Sequence, residues 1–162
     1  MAIDPRVFRQ AVGQFVTGVT VIAIDIDGEI RAMTANSFTS LSLDPPLVLF
    51  CLGKQTKAGQ MVHTAGGFSV NILCEEQQAL STYFAGGWKE AAPPPFTFIA
   101  WQDGAPRLEG AAVSLGCLTH AIHEGGDHWI VVGEVTAIHR PDETLVPLVF
   151  HGGRYVSLKS LV

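Results

Sequence analysis

Val19-Thr20-Val21-Ile22-Ala23-Ile24-Asp25-Ile26, then Asp27-Gly28, then Ile30 to Thr34, is the stretch whose reading decides the fold. β-Branched side chains dominate it, and these suit a pleated sheet better than a helix, where their χ1 freedom is restricted. Two such runs on either side of an Asp-Gly pair predict a hairpin with a loose loop. Upstream the pattern differs. Asp4-Pro5 places an acceptor side chain and a φ-fixed residue at a helix start, and Val7, Phe8, Ala11, Val12 and Phe15 recur at helical spacing. That helix is expected to lay its apolar stripe on a sheet.

Downstream, Leu47 to Leu52 is an unbroken apolar run after Pro45-Pro46, the pattern of a strand buried on both faces. Phe68, Val70 and Ile72 alternate with Ser69, Asn71 and Leu73, as in a half-buried strand. Short helices are expected around Thr56 to His63 and around Glu75 to Phe84, where Leu80, Tyr83 and Phe84 form an apolar edge. Gly86-Gly87 and Pro93-Pro94-Pro95 predict an irregular loop, and loops of this kind often border a site. The last third reads as strands over Val113 to Ile122, Trp129 to Ile138, and Pro147 to Phe150 leading to Tyr155.

Many short strands with few helices predict a mainly β chain, a closed or nearly closed antiparallel barrel with helices packed outside, in one domain over 1–162. No strand runs into G-x-G-x-x-G at a helix start, which disfavours a Rossmann fold.

Composition narrows the function. With 10 basic and 15 acidic residues the net charge is −5, and neither sign forms a run, so nucleic acid and anionic membrane are not expected partners. Cys51, Cys74 and Cys117 stand far apart with no C-x-x-C pair, as reduced thiols of a cytoplasmic protein would. The start, Met1-Ala2-Ile3-Asp4-Pro5-Arg6, has no basic-then-apolar signal pattern. A mean hydropathy of +0.30 with 15% charged residues predicts apolar surface covered by a second copy, a homodimer.

Three segments carry candidate chemistry. In Met33-Thr34-Ala35-Asn36-Ser37-Phe38-Thr39-Ser40, neutral donors and acceptors crowd a short span. They match a flavin edge, with its alternating C=O, N and N–H groups, and equally a turn that satisfies its own backbone. Gly53-Lys54-Gln55-Thr56-Lys57 offers a glycine, two ammonium groups and a hydroxyl before a short helix, which suits a phosphate, or a solvated turn. Glu124-Gly125-Gly126-Asp127-His128-Trp129 is a tight turn with His128 at a strand mouth, able to donate to a carboxamide or move a proton, or simply solvated. His120 and His123 are an odd number apart in a strand and point to opposite faces, so no metal site is expected.

Order and spacing over nearly the whole chain resemble the flavin reductase family with the FMN-binding split barrel, the reductase components of two-component flavin-dependent monooxygenases. The matching stretches are Phe8 to Phe15, Thr17-Gly18-Val19-Thr20-Val21, Met33 to Ser40, Leu43-Asp44-Pro45-Pro46-Leu47-Val48, Phe68 to Leu73, Phe84-Ala85, Gly126-Asp127-His128, Gly133-Glu134-Val135, Pro147-Leu148 and Gly153-Arg154-Tyr155. The resemblance implies hydride transfer from NADH or NADPH to FMN or FAD, with reduced flavin supplied to a partner monooxygenase. It implies that Thr34, Ala35, Asn36 and Ser37 meet the flavin ring and ribityl chain, and that Cys51, Leu52, Gly53, Lys54, Gln55, Thr56 and Lys57 wrap towards the phosphate. Phe84 and Ala85 would form a lip over the cofactor; His128, the catalytic candidate, and Tyr155 would lie on the nicotinamide side. The family's phosphate turn usually reads Ser-x-Thr where this chain has Thr56-Lys57-Ala58, so one hydroxyl is missing. The rival expectations are a flavin carrier or sensor without turnover, and a bound-flavin reductase of a corrinoid or ferric chelate.

Overall fold

The computed structural model describes residues 3–101 and 105–158. In chain order its elements are α1 (Pro5–Val12), β1 (Thr17–Gly18), β2 (Thr20–Ile26), β3 (Glu29–Ala35), β4 (Thr39–Leu43), β5 (Pro46–Gly53), α2 (Lys57–Met61), β6 (Gly67–Ile72) and α3 (Gln78–Phe84). There follow β7 (Phe98–Ile99), β8 (Arg107–Leu108), β9 (Val113–Gly125), β10 (His128–His139), β11 (Val149–His151) and β12 (Arg154–Val156). Among the described residues no helix is long and apolar enough to cross a membrane.

Seven strands form one antiparallel sheet in the order β3-β2-β6-β9-β10-β5-β4. The sheet curls around one apolar interior that draws Ile22, Ile24 and Ile26 from β2, Phe50 and Leu52 from β5, Phe68 and Val70 from β6, and Cys117 and Val131 from β9 and β10. The edge strands β3 and β4 are joined by only Asn36, Ser37 and Phe38. The barrel is therefore split at one seam, and the chain crosses that seam on its most polar segment. A second core, Val19, Val21, Leu73, Leu80, Leu108 and Leu148, lies on the outer face of β2 beneath α3. β1 joins β11 and β12 in a small sheet beside it.

The decisive hairpin forms, with a tighter turn than its sequence suggested. Ile26 pairs directly with Glu29, and Asp27 and Gly28 take φ values of 53° and 81°. Both central residues at positive φ make the two-residue turn whose twist matches the strands, and Gly28 adopts it without steric cost. Asp25 Oδ1 accepts the Gly28 N–H at 2.8 Å.

Three expectations are corrected. β5 is not buried on both faces: Val48, Phe50 and Leu52 are buried, whereas Leu47, Leu49 and Cys51 are partly exposed, because β5 lies one strand from the seam and only the barrel interior covers it. β6 is buried on both faces, although half of it is polar. Its outer face lies under the β7–β8 hairpin, where Asn71 donates to the Val21 carbonyl and to Ser69 Oγ and accepts from the Leu108 N–H and Ser114 Oγ, all at 2.8–3.0 Å. Every hydrogen-bonding position of that amide is satisfied, the condition for burying it. The α1 stripe, finally, rests on no sheet. The helix forms where Asp4 and Pro5 placed it, with Asp4 Oδ1 accepting the Arg6 N–H, but none of its residues is buried.

Candidate active site

At the seam, Thr34 near the end of β3 meets the middle of α3. Thr34 donates its hydroxyl hydrogen to the Ser81 carbonyl at 2.6 Å, fastening strand to helix. Ser81, fully buried, shares a 2.8 Å hydrogen bond with the Tyr155 hydroxyl and so fastens β12 to the same helix. A cavity of about 170 Å³ opens among Thr34, Asn36, Ser81, Ala85 and Tyr155, with Val19 and Phe150 as its apolar floor. A second cavity of about 410 Å³ continues past Asn36 along β1 and β4, lined by Phe15, Thr17, Phe38 and Thr39. The Thr17 hydroxyl is buried there without a hydrogen-bond partner.

Thr34, Asn36, Ala85 and Tyr155 are thus brought together as expected. Ser37 lies further along the seam, where its hydroxyl accepts the Cys51 N–H at 3.0 Å and donates to the Cys51 carbonyl at 3.2 Å. That pair docks the seam segment onto β5, so a ligand lying along Asn36 and Ser37 leads to the turn after β5.

In that turn Thr56 caps α2. Its hydroxyl donates to the Gly53 carbonyl at 2.8 Å and accepts the Gly59 N–H at 2.9 Å. The cap requires glycine at 59, because a Cβ there would collide with the Gly53 carbonyl oxygen. The Lys54 N–H donates to the Asp127 carbonyl at 3.0 Å, joining the turn to the β9–β10 hairpin. The Lys54 ammonium sits 4.5 Å above the Trp129 ring and 3.3 Å from Glu124, so its charge is already shared. Gln55, Thr56 and Lys57 are exposed.

His128 pairs with Gly53 across β10 and β5, and its Nε2 faces that glycine, 3.8 Å from where a Cβ would stand. Its Nδ1 lies 2.7 Å from Asp127 Oδ1. The hydrogen bond with His128, and secondarily the ring's charge, hold the Asp127 carboxyl below the usual carboxylate range.

Three expected contacts are placed differently. The Leu52 side chain is fully buried in the barrel core, leaving only its backbone at the turn. Ala35 also faces the core, and its carbonyl accepts from Thr20 Oγ1. Phe84 does not line the cavity with Thr34 and Asn36. Its ring belongs to an aromatic group on the far side of α3, 5.0 Å from Tyr83 and 5.1 Å from Phe96 between centroids, because successive helical residues diverge by roughly 100°. Residues the sequence did not assign to the cavity are Val19, Ser81 and Phe150; Trp129, named only as the end of the candidate turn, donates its Nε1 hydrogen to the Gly59 carbonyl at 2.9 Å. A serine within the apolar edge of α3 was the available signal for Ser81. The pairing of Trp129 with α2 depends on sheet register.

A model of the family described as flavin reductase like domain matches residues 12–159. The reductase subunit HsaB of a flavin-dependent monooxygenase from Rhodococcus jostii (strain RHA1) is 39% identical over 161 residues, covering 98% of this chain and 80% of that protein. Among solved structures, flavin reductase PheA2 in its native state superposes with a TM-score of 0.89 at 37% identity, over 96% of this chain and 99% of that one. The NADH:FAD oxidoreductase SgcE6 of Streptomyces globisporus C-1027, in complex with NAD and FAD fragments, superposes with a TM-score of 0.84 at 37% identity, over 98% of this chain and 96% of that one.

Proposed function

This chain belongs to the flavin reductase-like domain family, and from that membership we propose that it is an NAD(P)H-dependent flavin reductase. It passes hydride to FMN or FAD and supplies reduced flavin to a partner monooxygenase. The observation that carries the reading is the seam cavity, where Thr34, Asn36, Ser81 and Tyr155 present neutral polar groups over an apolar floor.

That donor set fits a flavin. An isoalloxazine needs a flat apolar surface and neutral hydrogen-bonding groups along one edge, and a fixed ionised side chain there would bias its charge before reduction. Asn36 and Ser37, with the backbone between β3 and β4, would hold the ring edge and ribityl chain. The turn from Cys51 to Lys57 would receive the phosphate through backbone N–H groups and lysine charge, since the Thr56 hydroxyl hydrogen is committed to Gly53. When bound, the flavin supplies the hydride-accepting chemistry.

The protein's own part is placement and exclusion of water. Ser81 fixes Tyr155 and Thr34 relative to one another, so the cavity wall is set before any ligand arrives. His128 is held by Asp127 with Nε2 turned towards the turn after β5, a position from which it orients the nicotinamide or a phosphate. No residue need act as a general base, because hydride transfer requires none at the protein. The chain acts as one domain in a cytoplasmic homodimer, the second copy covering the exposed apolar stripe of α1.

The test is NADH consumption by purified protein, with and without FMN or FAD. Flavin-dependent turnover supports the reductase; a protein that binds flavin and leaves NADH unoxidised is a carrier or sensor.

A further inference from the structure

Ser81 sits in the middle of α3 with none of its surface exposed, yet its side chain is polar. Its neighbour Thr82 turns its hydroxyl back along the helix and donates to the Gln78 carbonyl at 3.1 Å, as helical hydroxyls commonly do. Ser81 does otherwise. Among the described residues its Oγ has one partner, the Tyr155 hydroxyl at 2.8 Å.

Either oxygen of that pair has a hydrogen to give, and burial decides which one gives it. If Tyr155 donated, the Ser81 hydrogen would be left without an acceptor where water does not reach, and a buried bond left unmade costs more than a made one gains. If Ser81 donates, the hydrogen left over belongs to Tyr155, which is partly exposed and lines the seam cavity. Ser81 therefore donates. The Tyr155 ring is held in place meanwhile, paired with Phe150 across β11 and β12 with centroids 5.4 Å apart, so only its O–H remains to be aimed. Ser81 sets Thr34 the opposite way. Thr34 gives its hydrogen to the Ser81 carbonyl at 2.6 Å, which leaves its oxygen able only to accept. One buried residue thus gives the cavity a donor at Tyr155 and an acceptor at Thr34, and among the described residues lining the cavity none is charged to override them.

We propose that Ser81 is a positioning residue of the reaction: by donating to Tyr155 it turns the Tyr155 hydrogen into the cavity, where Tyr155 and Thr34 together accept an amide group, O=C–N–H, in one orientation only. The proposal rests on the reductase reading and deepens it by giving a solvent-closed side chain control over the direction of two others. A nicotinamide carboxamide and the pyrimidine edge of a flavin both carry such an amide, and the experiment separates the two.

The test is a double-mutant cycle of Ser81→Ala and Tyr155→Phe, read by calorimetric binding of FMN and, with FMN saturating, of NAD+. Each substitution removes one oxygen and keeps the surrounding shape, and alanine favours the helix, so both variants should fold. Tyr155→Phe weakens one of the two ligands about threefold to tenfold, the scale of one neutral hydrogen bond. Ser81→Ala weakens the same ligand, and adding it to Tyr155→Phe changes nothing further, a coupling that a merely structural serine would not show. Thr34→Val, which keeps the shape and removes the acceptor, weakens that ligand too. Loss on NAD+ assigns the amide to the carboxamide; loss on FMN, with a shifted absorption band of the bound flavin, assigns it to the flavin. Additive or equal losses on both ligands overturn the proposal, as does wild-type binding of both by Ser81→Ala or by Tyr155→Phe, a Thr34→Val loss on the other ligand, or a wild type that binds neither. Binding is read without turnover, so a wild type that shows the coupling yet leaves NADH unoxidised would uphold the role of Ser81 and refute the reductase.

Discussion

Asp127 holds two elements at once: its carboxylate meets His128 Nδ1 at 2.7 Å, and its carbonyl accepts the Lys54 N–H at 3.0 Å. The side chain sets the ring and the backbone sets the turn, so the two can be separated by substitution. His128→Ala should raise the KM for NADH about fivefold or more, the scale of one lost charge-assisted hydrogen bond, with flavin affinity nearly unchanged. Equal loss in flavin titration and NADH kinetics would refute the nicotinamide-side role. Asp127→Asn should give a smaller rise and leave the turn intact. Because the Asp127 carboxyl is held below its ordinary range, its contact is complete above the unfolded carboxylate pKa and is lost only as pH falls through the lowered folded value. An NADH KM profile that changes between neutral and mildly alkaline pH therefore cannot originate in this carboxylate.

Gly59→Ala tests the phosphate turn. The added methyl would strike the Gly53 carbonyl oxygen and press on Lys54 at 3.1 Å, and both are backbone, which cannot swing aside. The turn must shift, and flavin affinity should fall about tenfold or more while the barrel still folds, since such overpacking costs roughly 1–3 kcal/mol. Gly66→Ala, where nothing lies within 4 Å of the new methyl, is the matched control. Unchanged flavin binding in Gly59→Ala would remove the turn from the site.

Much of this was legible in the chain. The β2–β3 hairpin, the α1 start at Asp4-Pro5 and the three late strand regions all follow from local pattern, because side-chain periodicity and capping are local properties. Thr34 and Asn36 stood out as neutral donors and the resemblance added Ala85 and Tyr155; the four line one cavity. What failed was long-range. The alternation in β6 is real, but a hairpin more than 25 residues later covers the polar face, and nothing near Asn71 announces Leu108. The resemblance paired Phe84 with Ala85 as one lip, whereas one helical step sends the two side chains into different cavities.

Asn71→Ala should be among the costliest substitutions in the sheet. It strands the Leu108 N–H and the Ser114 hydroxyl and removes a donor from the Val21 carbonyl and from Ser69 Oγ, which keeps its bond to the Pro106 carbonyl, in a region without solvent access. Leaving buried polar groups unpaired costs on the order of 3 kcal/mol here. The melting temperature should drop by about 6–12 °C. A drop under about 2 °C, the scale of a surface change, would mean that water replaces the amide.

The three thiols should differ in reactivity. Burial pushes the Cys117 thiol up to about 12, and burial, with Glu76 nearby, raises that of Cys74. Cys51 is partly exposed on β5. A thiol-reactive dye at mildly alkaline pH should label Cys51 first in the native protein and reach the other two only on unfolding. Bound flavin should slow Cys51 labelling if the cofactor passes along the Ser37–Cys51 contact; equal rates with and without flavin would place it elsewhere.

The apolar stripe of α1 gives the last prediction. Val7, Phe8, Val12 and Phe15 are 58%, 55%, 51% and 78% exposed, too much apolar surface in one helix and its exit to leave in water. The helix is held by its cap at Asp4 and by the Gly152 N–H donating to the Gly13 carbonyl at 2.8 Å, so it stands ready without packing of its own. Phe15 and Thr17 also line the cavity that continues from Asn36, so whatever covers the stripe borders the site. If a second copy covers it, Phe8→Ser with Phe15→Ser should convert a dimer to a monomer in light scattering. The same change should weaken flavin binding as the cavity by Asn36 opens to solvent. Wild-type protein that already scatters as a monomer would refute the dimer, and a dimer that survives both substitutions would move the interface off α1.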